Sequence, residues 1–291
     1  MSQDLGANRL DYIPHTPHDR ISYLLSELSN ELSTVSQAAT SPGSHPHPAL
    51  KYLDDARTLI DGYDNYLVEH SSPHPAIVER MLKDGNARDW EALHREGKTQ
   101  FKLIPEMSAG GYEAVFLQQL ACASKAKAIL EIGMFTGTTT ISLAMLPTVE
   151  KVTALEIEPF LKELNQPYFE EAGVVHKIDI RIDDALKSLQ KLHEENLSFD
   201  MIYIDAYKPA YGQYFDAIMA SPHLLAKDGL IVVDNVAFKG APWAPASGYD
   251  MGQVIDEFNK KIRSDPSVDV VMLPIEDGVS LIRRKGKLHS Q

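Results

Sequence analysis

The chain has 291 residues, 44% of them hydrophobic, and a formal net charge of −13. That length suits one large domain or a domain with an appendage. The acidic balance without a basic block argues against nucleic acid or an anionic membrane as partner, and no run of about 18 apolar residues offers a transmembrane helix.

The opening stretch MSQDLGANRL has no apolar core of the kind a signal peptide needs. A single cysteine, Cys122, excludes an internal disulfide and fits a reducing, cytoplasmic setting. It lies in a helical apolar pattern and is expected to be a small buried side chain. Residues 1–20 are polar and are expected to form a poorly ordered start. Ile21 to Ala38 carries a helical apolar stripe at 21, 24, 25, 28, 32 and 35. Ser41 to Pro48 is a loop by composition, and its His45 and His47 are expected to be exposed linker histidines without a metal. Leu50–Val68 is a second helix, with His74–Leu82 and Ala87–Glu96 as shorter ones. Residues 1–100 therefore form a helical extension, and 101–291 a separate domain.

From there the pattern changes. Met107–Ala123 is a helix leading into an apolar strand, Ala128–Ile132. Gly133 and Gly137 punctuate a turn, and Thr138–Met145 is the helix after it. The strands Val149–Ile157, Lys177–Ile182, Phe199–Ile204 and Gly229–Val233 then alternate with the helices Pro159–Ala172, Asp184–Glu195, Tyr211–Ser221 and Gly248–Arg263. Val268–Leu273 and Val279–Arg283 form a closing hairpin. The alternation predicts an α/β, Rossmann-like, doubly wound sheet with a C-terminal antiparallel hairpin.

Ligands of such sheets bind at the carboxyl ends of the strands. Each predicted strand here ends in acid or amide: Glu131; Glu156 and Glu158; Asp183 and Asp184; Asp205; Asp234 and Asn235. The first turn is Gly-x-x-x-Gly beside a carboxylate, which repels a pyrophosphate and suits a ligand bearing an ammonium and a sulfonium, such as S-adenosylmethionine. Glu156 stands where an acidic residue commonly bonds ribose hydroxyls. Asp205, Asp234 and Asn235 are hard oxygen donors on neighbouring strands, a set that fits Mg²⁺, or Mn²⁺ or Ca²⁺. Lys208 lies in reach of the same point, placed to orient or deprotonate a hydroxyl. Tyr207, Tyr211, Phe238 and Trp243 are expected to wall an acceptor pocket. Two other readings stand beside this one. An NAD-dependent oxidoreductase needs a Gly-x-Gly-x-x-Gly turn that is absent, and a non-catalytic protein would use its acidic face for assembly.

Three segments, Glu131-Ile132-Gly133-Met134-Phe135-Thr136-Gly137, Ile204-Asp205-Ala206-Tyr207-Lys208 and Val233-Asp234-Asn235, resemble the cation-dependent O-methyltransferases of the caffeoyl-CoA/catechol type. The closing hairpin Met272 to Arg284 is similar too, and the resemblance covers about 106–285. It implies a class I methyltransferase fold, S-adenosylmethionine as donor and a homodimer. It puts metal ligands at Asp205, Asp234 and Asn235 and cofactor contacts at Ala109, Glu131, Gly133, Met134, Thr139, Glu156, Ala185 and Asp205; the catalytic role expected of Lys208 with Asp205 comes from their place at the strand tip. Substrate positions fall on Tyr207, Lys208, Tyr211 and Lys239. Tyr207 replaces the family's second acid, and Lys239 stands where an asparagine is frequent. Pro14 to His18, Leu59 to Tyr66, Asp89-Trp90 and Glu106-Met107 look like the O-methyltransferases of mycosporine biosynthesis. The implied acceptor is a small molecule with vicinal oxygens, a catechol-like diol or a demethyl-4-deoxygadusol-like enol.

Overall fold

The computed structural model describes residues 15–38, 49–246 and 250–286, with the backbone alone for 35–38. The polar segment 1–14, the linker histidines His45 and His47, and the expected helix start at Gly248 lie outside the described residues. Within them, seven strands form one sheet in the order β3-β2-β1-β4-β5-β7-β6. They are β1 (Ala128–Ile132), β2 (Lys151–Glu156), β3 (Ile178–Ile182), β4 (Phe199–Ile204), β5 (Leu225–Val233), β6 (Val268–Leu273) and β7 (Val279–Arg284). The first five run parallel, and β7 pairs antiparallel with both β5 and β6. Helices cover both faces, as strands hydrophobic on both sides demand.

The sides alternate along each strand. Leu130, Ile132, Ile202, Ile204, Ile231 and Val233 face one core with α8 (Ala185–Glu194), α9 (Tyr211–Ala220) and α10 (Met251–Ser264). Ile129, Val152, Ala154, Met201, Tyr203 and Val232 face the other, beneath α3 (Ala76–Asn86), α5 (Gly111–Ala123), α6 (Thr138–Ala144) and α7 (Pro159–Glu171). Val78, Met81 and Trp90 belong to this second core, so α3 and α4 (Trp90–Arg95) pack with the sheet. By contrast α1 (Pro17–Ala38) and α2 (Ala49–Glu69) lie against each other, and α1 also touches the segment Phe238–Gly240.

Several sequence expectations are corrected. Cys122 is exposed, because the apolar stripe of α5 buries Leu117 and Ala121 and turns its neighbour outward. The helix expected from Met107 begins only at Gly111, after a separate 3-10 turn at Pro105–Met107. The first helix starts at Pro17, inside the stretch expected to be unordered; Asp19 Oδ2 accepts from the backbone N–H of His15 and Thr16 at 2.9 and 3.0 Å and fixes that start. β5 begins at Leu225, not Gly229, and absorbs the polar Lys227-Asp228-Gly229 in a register shift against β4.

Candidate active site

The strand tips meet at one level. The N–H of Gly133 donates to the Leu155 carbonyl at 3.0 Å, Asp183 to Glu156 at 3.1 Å, Asp205 to Ile132 at 3.0 Å and Asp234 to Ile204 at 3.0 Å. Each residue that leaves a strand is thus held by a carbonyl at the end of its neighbour. Glycine is required at 133: φ is 96°, and a Cβ would lie 2.0 Å from the Asp205 carbonyl oxygen. The turn of the first strand therefore touches the tip of the fourth. Gly137, at φ 69°, is the N-cap of α6, and a Cβ there would meet Phe169 at 2.8 Å.

Glu131 is fully buried and accepts a short hydrogen bond from Thr140 Oγ1. Burial pushes its carboxyl up to about 8, Asp205 and Glu156 add to that, and the Thr140 bond works against it. Met134 and Thr139 are buried beside it, while Ala185 opens α8 half-buried. Ala109 is half-buried in the segment before α5, and Ser108 Oγ lies 3.0 Å from Thr136 Oγ1, pinning that segment to the glycine turn.

Glu156 does more than the sequence suggested. Its Oε2 accepts from the N–H of Met134 and Phe135 at 3.2 and 2.9 Å, and its Oε1 from Ile157 and Glu158 at 2.7 and 2.9 Å. Oε2 braces the glycine turn, and Oε1 ties down the chain that leaves β2. Asp183 pairs with Lys191 at 2.6 Å, and Asp184 caps α8 through the Lys187 N–H at 3.1 Å. These two acids are structural.

Asp205, Asp234 and Asn235 come together at adjacent tips, since Ile204 and Val233 are register partners. Asn235 sits at φ 56°, a left-handed conformation asparagine tolerates, and its N–H donates to Asp234 Oδ1 at 2.6 Å. Tyr203 Oη, buried below, shares its hydroxyl proton between Asp234 Oδ2 at 3.3 Å and Glu113 Oε1 at 3.1 Å. Burial and then the Asp205 charge raise the Asp234 carboxyl. Glu113 is raised further by burial and then by the Asp234 and Asp205 charges. Glu113 and Tyr203 were missed in the sequence; a lone acid on a helix carries no local sign of where it points. Acids gathered out of water in this way suit a bound cation. Among the described residues no three His, Cys, Asp or Glu side chains converge as a metal cage. The candidate set is two carboxylates completed by an amide.

Lys208 Nζ lies 3.1 Å from Asp205 Oδ1 and 5.8 Å from the centre of the Tyr211 ring. Burial opposes its charge, but Tyr211, Asp205 and Asp234 outweigh burial and hold it above the ordinary lysine range. In the unliganded chain it is an ammonium anchored by Asp205. The expectation for Tyr211 is corrected. The 3-10 turn Lys208–Ala210 feeds straight into α9, so the ring goes inward, fully buried and edge-on to Phe258 at 5.5 Å. It is core and not an open wall of the pocket. Tyr207 and Trp243 are exposed at 68% and 64%, on the two loops that flank the tips. Lys239, half-buried, follows Phe238 on the second loop.

A family profile described as O-methyltransferase matches residues 86–285. The chain belongs to the O-methyltransferase family. It is 36% identical over 188 residues to the caffeoyl-CoA O-methyltransferase of Mesembryanthemum crystallinum, covering 61% of this chain and 73% of that one. Among solved structures, an O-methyltransferase from Bacillus cereus, in complex with SAH, superposes with a TM-score of 0.63 at 26% identity, over 77% of this chain and 97% of that one. A Podospora anserina methyltransferase with SAH bound gives a TM-score of 0.67 at 23% identity, over 78% and 96%. That last likeness speaks for the fold, which is the class I methyltransferase fold.

Proposed function

We propose that this O-methyltransferase transfers a methyl group from S-adenosylmethionine to one of two adjacent oxygens on a small acceptor, assisted by a divalent cation held by Asp205, Asp234 and Asn235. The observation that supports this is the ladder of tip hydrogen bonds, in which Asp205 leaves β4 against the glycine turn and Asp234, followed by Asn235, leaves β5 next to it. Two carboxylates and an amide fit Mg²⁺ best, or Mn²⁺ or Ca²⁺. A bound cation of this kind supplies Lewis-acid stabilisation of an acceptor oxygen that has lost its proton. The donor supplies a methyl group on a sulfonium.

The chain's own residues do the rest. Gly133 opens the approach to the Asp205 tip, and Glu156 holds the Met134 and Phe135 amides, so the donor side of the site is shaped before binding. Buried Glu131 offers a carboxylate to the donor's amino group. Lys208, anchored by Asp205, sets a positive charge beside the attacking oxygen. Orientation of two reactants in this way accounts for about 7–11 kcal/mol of barrier in favourable cases.

The acceptor class follows from a donor set that favours two chelating oxygens, as in catechols. The Mesembryanthemum relative is a caffeoyl-CoA enzyme by its name, but Tyr207 stands in place of the family's second acid. With the N-terminal likeness, that favours a smaller acceptor such as a demethyl-4-deoxygadusol-like enol. A cytoplasmic homodimer belongs to the same proposal, and the exposed Leu24, Tyr52, Leu59 and Tyr66 on α1 and α2 support an association surface. NAD chemistry has no comparable support at the Gly-x-x-x-Gly turn.

Asp234→Ala tests the proposal. Turnover of a catechol acceptor should fall by roughly a thousandfold, matching the several kcal/mol that such an ion supplies. SAH binding, followed by calorimetry, should persist. Full turnover in this variant would remove the metal role.

A further inference from the structure

In β4 a tyrosine stands among apolar neighbours. Tyr203 has Ile202 and Ile204 on either side in the chain and Val232 as its register partner on β5, and it is 1% exposed. Burying a phenol there costs free energy unless its hydroxyl is hydrogen-bonded, and a phenylalanine would fill the same space without that demand. The hydroxyl must therefore earn its place through its partners.

Those partners lie at the strand tips. Side chains two apart on a strand share a face, so Tyr203 stands one pleat below Asp205, and Val232 one pleat below Asp234. The Tyr203 ring crosses from β4 towards β5, and its Oη reaches Asp234 Oδ2 at 3.3 Å. Glu113 Oε1, from α5, lies 3.1 Å from the same hydroxyl. Glu113 and Asp234 are each 3% exposed, so water does not compete for these bonds.

The two tip carboxylates are held from different sides. Asp205 Oδ1 is paired with Lys208 at 3.1 Å. Asp234 accepts on both oxygens, Oδ1 from the Asn235 N–H at 2.6 Å and Oδ2 from Tyr203. The last torsion of an aspartate is broad when nothing holds it. One donor on each oxygen removes that freedom and leaves further lone pairs on both oxygens for a ligand.

We propose that Tyr203 is a positioning residue for the cation: its hydroxyl fixes the rotation of the Asp234 carboxylate, and Glu113 holds that hydroxyl in place from α5. This rests on the cation site proposed above and adds the groups that set its affinity. Both residues act through Asp234, from beneath it.

The experiment is calorimetric titration of Mn²⁺, as probe, into the full chain saturated with SAH, comparing wild type with Tyr203→Phe. Asp234→Ala, which removes the ligand itself, marks the binding heat that belongs to this site. The phenylalanine keeps the ring and its packing and deletes one oxygen atom. Mn²⁺ affinity should fall by about 10–100-fold, the usual effect of removing a group that orients a metal ligand. SAH affinity measured without metal should match wild type, and turnover should recover in excess Mg²⁺ with a half-saturating concentration raised by the same factor. A hydroxyl that only satisfies the core would lower the melting temperature and leave the Mn²⁺ affinity of the folded chain unchanged; that result would overturn the proposal. Equal losses of Mn²⁺ and SAH affinity would overturn it too, since the tips as a whole would then have loosened. A wild type that takes SAH but no Mn²⁺ would remove the cation site and this inference together.

Discussion

A carboxyl sealed from water keeps its proton until something gives it a reason to ionise. Glu131, raised to about 8 by burial, is mostly protonated at pH 7 in the unliganded chain. The folded state therefore binds more protons than the unfolded one, so this group's contribution to stability falls as pH rises from the ordinary carboxylate range through about 8. A ligand bearing an ammonium favours the ionised form and expels that proton. S-adenosylmethionine binding at pH 7 should then release close to one proton, seen as a dependence of the binding enthalpy on the buffer's ionisation heat. Glu131→Gln should bind without that release, and a wild type that releases none would deny the contact. At this scale the sequence was legible wherever an acid directly follows an apolar strand, as at Asp205 and Asp234. It was silent on Glu113 and Asp277, whose burial depends on partners 90 and 38 residues away. Tyr211 misled because an aromatic three residues past a candidate lysine reads as a pocket wall, whereas the turn at Lys208–Ala210 rotates it into the core.

The strands were readable as elements because a parallel strand covered on both faces must be a short apolar run. Helix ends were less so. Where β5 runs through Lys227-Asp228-Gly229, local chemistry signals a turn and only pairing with β4 keeps the chain extended. The least foreseeable element is the α3–α4 corner. Trp90 leaves it to pack on Phe135 of the glycine turn at 5.3 Å and donates through Nε1 to the Gly85 carbonyl at 2.9 Å. Phe135 itself is at φ 44°, so the corner supports a strained residue in the glycine turn. Trp90→Ala should cost about 3–5 kcal/mol of stability by the usual scale for a lost buried aromatic. It should also weaken SAH binding, as read by denaturant melts and calorimetry on the same protein. Lost stability with unchanged SAH affinity would make Trp90 a core residue only.

For the whole molecule, a doubly wound sheet with a closing antiparallel hairpin could be anticipated from the alternation of elements, though not its strand order. The way the N-terminal segments attach could not. Residues from Ala76 onward share a core with β1, while α1 and α2 rest on each other and reach the body through the loop that carries Lys239. No periodicity within α1 announces that its first turn will grip a loop more than two hundred residues later. The loop after β5 is thus held from the N-terminal part of the chain, while the candidate oxygen donors stand at the tips of the parallel strands. Their common purpose is tested most directly by stripping divalent cations from the full protein with a chelator and assaying methyl transfer from S-adenosylmethionine to catechol. Transfer should disappear and return when Mg²⁺ is added back in excess; undiminished transfer by the metal-free protein would contradict the account.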